Sequence, residues 1–184
     1  MLLAYCMAKN SRQQIEEDER KIIQELLRNA NKSINEIAKN CGFSRQKVWR
    51  IIKNLEKNNT IWGYVAVTDE EKLDKKGYVV LIKRTNLPLN KDIIDKVVQR
   101  ELEYQSEEIG IEITSSLYTN GPYDWIICFD ANDIKGAKRF CENLNRVFEG
   151  YISELELLEK LFAAKKCGIQ NPEIEELRNL FDIE

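Results

Sequence analysis

The stretch Ser33-Ile34-Asn35-Glu36-Ile37-Ala38-Lys39-Asn40-Cys41-Gly42-Phe43-Ser44-Arg45-Gln46-Lys47-Val48-Trp49-Arg50-Ile51-Ile52-Lys53 decides the front half of the fold. Ser33 and Glu36 have the spacing of a capping box, in which hydroxyl and carboxylate satisfy each other's orphan backbone N–H groups. The spacing predicts a short helix to about Asn40 that buries Ile34, Ile37 and Ala38. Cys41-Gly42-Phe43 breaks it, because Gly42 is free to take the positive φ of a tight turn. Ser44 then caps a third helix over 45–58, with Val48, Ile51, Ile52 and Leu55 as its apolar stripe. Upstream, 18–30 places Ile22, Ile23, Leu26, Leu27 and Ala30 at helical spacing behind an acidic first turn.

Three short helices with a glycine turn before the third make a helix-turn-helix. Arg45, Gln46, Lys47, Trp49, Arg50 and Lys53 lie off the apolar stripe of that third helix, and Ser44 stands at its start. Such a motif turns these positions toward the major groove, where cations neutralise phosphates and Arg or Gln pairs with base edges. The seven residues are the candidate contacts to double-stranded DNA. A solvated basic helix face is the plainer alternative, but it explains neither the cap nor the turn in front of it.

The aromatic, β-rich run 61–67 (IWGYVAV) is expected to be a strand leading out of this module, with Trp62 and Tyr64 as packing residues. The boundaries expected are a DNA-binding domain over 13–68, a charged linker over 69–77, a second domain over 78–165 and a helical extension over 166–184. In the second domain, 78–85 reads as a buried strand, and Asn90 caps a helix carrying Ile93, Ile94, Val97, Val98 and Leu102. Residues 111–119 alternate, with Ile111, Ile113, Ser115 and Leu117 on one face. Asn120-Gly121-Pro122 is a turn that makes 123–130 the hairpin partner. Ile134, Ala137, Cys141, Leu144 and Phe148 mark a helix ending at Gly150, and 151–162 is a last strand or a helix. The order βαββαβ is ferredoxin-like, so the fold class is α+β, a winged-helix-like helix-turn-helix domain followed by a ferredoxin-like domain. Two helices cover one face of such a sheet, and a second copy of the chain is expected on the other. Asn171-Pro172-Glu173 opens a terminal helix whose stripe of Ile174, Leu177, Leu180 and Phe181 is expected to dock.

The 184 residues carry 28 basic and 31 acidic side chains and no histidine. Histidine triads, bases and metal ligands are therefore excluded. The net charge of −3 divides unevenly, +5 over residues 1–68 and −8 over the remainder, so the front suits a polyanion. Five scattered cysteines without a CxxC pair read as core residues in a reducing compartment. No run approaches the ~20 apolar residues of a membrane span, and 2–8 does not read as a signal peptide, so a cytoplasmic protein is expected.

From Glu17 to Lys165 the chain resembles the Lrp/AsnC, or feast/famine, family of transcriptional regulators. The resemblance lies in Asp18-Glu19, Ile22-Ile23-Gln24-Glu25-Leu26, Ile37-Ala38, Gly42-Phe43-Ser44, 48–56, Ile61-Trp62-Gly63-Tyr64 and the hairpin Gly121-Pro122-Tyr123-Asp124. It implies a prokaryotic DNA-binding regulator, a homodimer or higher homo-oligomer built through the rear domain, without cofactor, metal or catalytic residues. It also implies an amino-acid effector bound between dimers near that hairpin, with Gly121, Tyr123 and Asp124 as candidates and Asp124 facing an α-ammonium group. The longer 102–109 region, the tail from Lys166 and residues 1–12 depart from the family pattern. An architectural protein coating DNA with little sequence preference is the alternative. A tetrapyrrole decarboxylase-like relative, which leans on histidine, fits this chain poorly.

Overall fold

The computed structural model describes residues 2–181. They fall into two compact units, Met1–Val67 with Ala164–Ile174, and Thr68–Ala163 with Glu175–Glu184. Each has its own apolar core.

The front unit is built on α1 (Leu2–Arg28), α2 (Ile34–Cys41) and α3 (Arg45–Lys57). Helix α1 begins at Leu2, far ahead of the expected Asp18. No Gly or Pro interrupts 2–28, and its Leu, Ala, Gln, Glu, Lys and Arg are all strong helix formers. The capping box forms as read: Ser33 N–H donates to Glu36 Oε2 at 2.8 Å, and Glu36 N–H donates to Ser33 Oγ at 3.2 Å. Gly42 closes α2 at φ 69°, and Phe43 N–H returns to Ala38 O at 2.9 Å. Ile22, Ile37, Val48 and Leu55 are fully enclosed. Each contributes roughly 1.5–3 kcal/mol through burial. Glu25, itself buried, ties the helices together, accepting from Lys32 at 2.7 Å and Asn40 at 2.6 Å.

The expected strand over 61–67 does not form, so no β wing follows α3 among the described residues. The run pairs with no strand among the described residues, and Trp62, expected to pack, is 95% exposed.

In the rear unit, β1 (Lys76–Arg84), α4 (Lys91–Val98), α5 (Glu101–Glu107), β2 (Glu112–Tyr118), β3 (Trp125–Ala131), α6 (Ile134–Val147) and β4 (Ile152–Glu159) follow in order. The sheet runs β2-β3-β1-β4 and is antiparallel throughout. This is the ferredoxin-like order, and 151–162 resolves as a strand. Tyr78, Val80 and Ile82 of β1 and Trp125, Ile127 and Phe129 of β3 face the helices. Phe129 meets Phe140 of α6 at 4.3 Å between ring centroids. Asn90 caps α4 as expected, accepting from Ile93 N–H at 3.0 Å. The helix expected to reach Leu102 instead breaks at Arg100, at φ 58°, and resumes as α5, which buries Leu102 and Ser106.

The alternation read in β2 holds only halfway. A bulge between Ile113 and Ser115 shifts the register. Ile113, Ser116 and Tyr118 thus pair with Phe129, Ile127 and Trp125 on the helix-covered side, and Ser115 and Leu117 fall on the other. That second face carries Val79, Leu81, Ile126, Cys128, Leu117 and Leu158, on the side away from α4, α5 and α6, and Leu117 is 54% exposed.

The tail is not the expected docked helix. Lys165–Lys166 (β5) and Ile169–Gln170 (β6) form a hairpin grouped with the front unit. Its two turn residues, Cys167 at φ 45° and Gly168 at φ 84°, suit a two-residue hairpin loop. A single 3-10 turn (Ile174–Glu176) and α7 (Leu177–Leu180) follow, with Leu180 and Phe181 exposed. Four helical residues are too few to hold an amphipathic stripe. Of the cysteines, Cys141 is buried, Cys41 and Cys128 are half-buried and Cys167 is exposed, contrary to a uniform core role; Cys6 lies outside the described side chains. Among the described residues no helix is long and apolar enough to cross a membrane.

Candidate nucleic-acid interface

Helix α3 is fixed by its buried side and by its start. Ser44 accepts from Lys47 N–H at 3.2 Å, so its hydroxyl serves as the N-cap. Val48, Ile51 and Leu55 face the core, which turns Arg45, Gln46, Trp49, Arg50 and Lys53 outward. Ser44, Arg45, Gln46, Lys47, Trp49 and Arg50 line one concave surface with Ile34 of α2. Six of the seven residues read from the sequence therefore converge.

The charges on this surface are not equivalent. Lys47 turns back to α1, where its ammonium pairs with the Asp18 carboxylate, and it sits 4.0 Å above the Phe43 ring. Asp18 is 5% exposed, and its hydrogen bond with Lys47 holds its carboxyl below the usual range against the opposing effect of burial. Lys53 pairs with Glu56 at 2.7 Å, and Glu56 also accepts from the Tyr64 hydroxyl at 3.2 Å. Among the described residues, Arg45, Gln46, Trp49 and Arg50 have no side-chain hydrogen bond or ion pair. Those four are the side chains left open to a ligand. Sequence reading had both acids among its motif residues but did not assign Asp18 to Lys47 or Glu56 to Lys53 as partners.

The rear hairpin places Gly121, Tyr123 and Asp124 together at the β2–β3 connection. Asp124 Oδ2 accepts the Arg84 N–H at 2.8 Å, while its own N–H donates to Ile82 O at 2.9 Å. Thr119 closes the turn, its hydroxyl donating to Tyr123 O at 2.6 Å. The Tyr123 phenol is pushed up by its hydrogen bond to Glu156. A Cβ on Gly121 would meet only open space, so close packing does not require glycine there.

Residues 19–61 match the family of winged helix-turn-helix DNA-binding domains. An uncharacterized HTH-type transcriptional regulator of Bacillus subtilis (strain 168), YugG, is 27% identical over 138 residues, 74% of this chain and 80% of that one. An AsnC family transcriptional regulator from Agrobacterium tumefaciens superposes with a TM-score of 0.62 at 21% identity, over 81% of this chain and 92% of that one. A transcriptional regulator of Neisseria meningitidis, solved in complex with L-Met, gives a TM-score of 0.61 at 16% identity, over 81% and 91% of the two chains. The chain thus joins a helix-turn-helix module, similar over residues 19–61 to winged helix-turn-helix DNA-binding domains, to a ferredoxin-like module in the fold of the AsnC/Lrp regulators.

Proposed function

We propose that this protein is a sequence-specific, DNA-binding transcriptional regulator of the Lrp/AsnC type. The observation that carries the reading is the surface of α3, where Arg45, Gln46, Trp49 and Arg50 stand open beside a capped, well-buried helix. Arg and Gln side chains there pair with base edges and phosphates. Lys47, held by Asp18 of α1, ties the helix to the unit, whereas Lys53 pairs within α3 with Glu56. Two features support a homodimer: the unpaired apolar run 61–67 and the uncovered apolar sheet face around Leu117, Ile126 and Leu158. A dimer presents two recognition helices to half-sites about 34 Å apart. An amino-acid effector at the Gly121–Asp124 hairpin belongs to the same reading, supported by the L-Met complex of the Neisseria protein. There Asp124 offers its second carboxylate oxygen to an α-ammonium group.

The test is fluorescence anisotropy with duplex DNA from upstream of the protein's own gene against a scrambled duplex, at matched salt. A preference of at least ~10³-fold supports a regulator, whereas equal binding to both means an architectural role. Amino acids are then added singly; a shift in affinity or oligomer size that disappears in Asp124→Asn supports the effector site.

A further inference from the structure

We infer that Trp49 reads thymine, its indole resting on the 5-methyl group in the major groove of each half-site. The inference rests on the DNA-binding reading and specifies what that surface recognises.

At 3.6 residues per turn, the outward centre of α3 lies at Gln46 and Lys53, with Trp49 and Arg50 on either side. The apolar neighbours Val48, Ile51 and Leu55 are between 0% and 8% exposed, but Trp49 is 54% exposed. The indole is therefore not part of the core that holds the helix. Among the described residues its Nε1–H has no acceptor, and its ring faces the concavity shared with Arg45, Gln46 and Arg50.

From Arg45 to Lys53 the helix has four cations and no acid. A large apolar side chain set among cations suits a polyanion that also offers an apolar group. Two of those cations, Arg45 and Arg50, have no internal partner among the described residues and flank the indole, as a polyanion requires. Duplex DNA offers one such group in its major groove, the thymine methyl. The remaining base edges present donors and acceptors, which an indole with a single N–H cannot read in pairs. Cytosine and uracil lack the methyl, so the indole discriminates by the burial of one carbon. Gln46, next to it on the helix, has the two-pronged amide that suits adenine. The pair favours a half-site with A·T steps at its centre.

The experiment isolates that carbon. The intact protein first selects its preferred duplex from a randomised library. Each thymine is then replaced singly by deoxyuridine, and affinity is measured by anisotropy at fixed salt for the native protein and for Trp49→Ala. One thymine per half-site is expected to lose about fourfold on losing its methyl, or roughly 16-fold with both half-sites changed. Trp49→Ala should bind more weakly and be indifferent to the same replacement. The inference is overturned if no deoxyuridine position weakens the native protein, or if Trp49→Ala keeps the same sensitivity. Should the alanine variant fail to fold, the native scan and Trp49→Phe decide in its place, the phenyl ring retaining part of the penalty. Failure to enrich or bind any duplex would instead remove the DNA-binding reading itself, and the inference with it.

Discussion

Replacing Lys47 and Arg50 separately should give opposite outcomes, although the two residues lie three apart on one helix. Lys47 is ion-paired to Asp18, whose side chain is 7% exposed against 35% for the lysine, and it stacks on Phe43. This pair lies between an exposed bridge, worth roughly 0.2–1 kcal/mol, and a buried one, whose breakage costs about 3–5 kcal/mol. Solvent reaches the lysine end, so Lys47→Gln should destabilise the front unit by about 1–2 kcal/mol. At roughly 4–8 °C per kcal/mol for a unit of this size, its Tm falls by about 5–15 °C. Its charge is already compensated, so the salt dependence of DNA binding should hardly change.

Arg50 is the reverse. It has no internal partner among the described residues, and Arg50→Gln should leave Tm within about 1 °C. Each phosphate contact contributes about 0.9 to the slope of log affinity against log salt. A dimer that loses two such contacts loses about 1.8 of slope, and between 50 and 200 mM salt that corresponds to roughly 12-fold. The assays are thermal melts and anisotropy titrations at three salt concentrations. If Lys47→Gln lowers the slope as much as Arg50→Gln and leaves Tm unchanged, the internal pairing of Lys47 is wrong and its ammonium reaches DNA.

Gly42→Ala should destabilise the front unit by about 1–2 kcal/mol through backbone strain alone, since φ is 69° and a Cβ there meets nothing within 4 Å; denaturant melts measure it, and a smaller loss is expected for Gly42→Asn. Acidification should weaken the front unit first. Asp18 and Glu25 are lowered in the folded state, Asp18 first by its hydrogen bond to Lys47 and Glu25 by that to Lys32. Their stabilisation is complete above the ordinary values of 3.8 and 4.5 and is lost as pH falls through the lower folded values. Asp130 in the rear unit is raised by burial and has the opposite sign, its contribution fading as pH rises through the raised value. Melts at pH 3 and pH 6 that show no selective loss in the front unit would refute this. Thiol labelling at pH 8 should modify Cys167 fast and leave Cys141 untouched until unfolding, because burial pushes the Cys141 thiol up to about 11. Cys128, on the uncovered sheet face, should react in dilute monomer and become protected on dimerisation; equal rates in both states would place the dimer contact elsewhere.

Much of the fold was legible because its signals are local. Ser33 with Glu36, Gly42, Ser44 and Asn90 each fix a helix end, and the structure honours them, whereas the helix read as ending at Gly150 stops at Val147. The misreadings arose where a distant partner decides. The run 61–67 has the composition of a strand, but a strand exists only when another supplies its hydrogen bonds, and among the described residues the run pairs with none. In β2 the apolar alternation was real, yet one bulged residue moved Ser115 and Leu117 across the sheet. The hairpin over 165–170 was signalled only by Cys167-Gly168, a weaker turn pair than Asn-Gly.

The site was legible in kind, and its internal bookkeeping was not. Periodicity placed six basic or polar side chains and one indole outside the apolar stripe of α3, which any helical projection shows. It treated their charges as interchangeable. The structure divides them by their partners: Asp18, 29 positions before Lys47 on another helix, and Glu56, three positions after Lys53 on the same one. Over 45–53, those acids leave the free positive charge of α3's outward face with Arg45 and Arg50, next to Gln46 and the indole. A surface made this way binds DNA less tightly than four open cations would, because fewer counterions are released on contact. It also gives the paired hydrogen bonds and the single apolar contact a larger share of the binding energy. Since only those contacts distinguish one base pair from another, the pairing of Lys47 with Asp18 and of Lys53 with Glu56 would, in the proposed regulator, shift the balance of the interface from general affinity toward sequence discrimination.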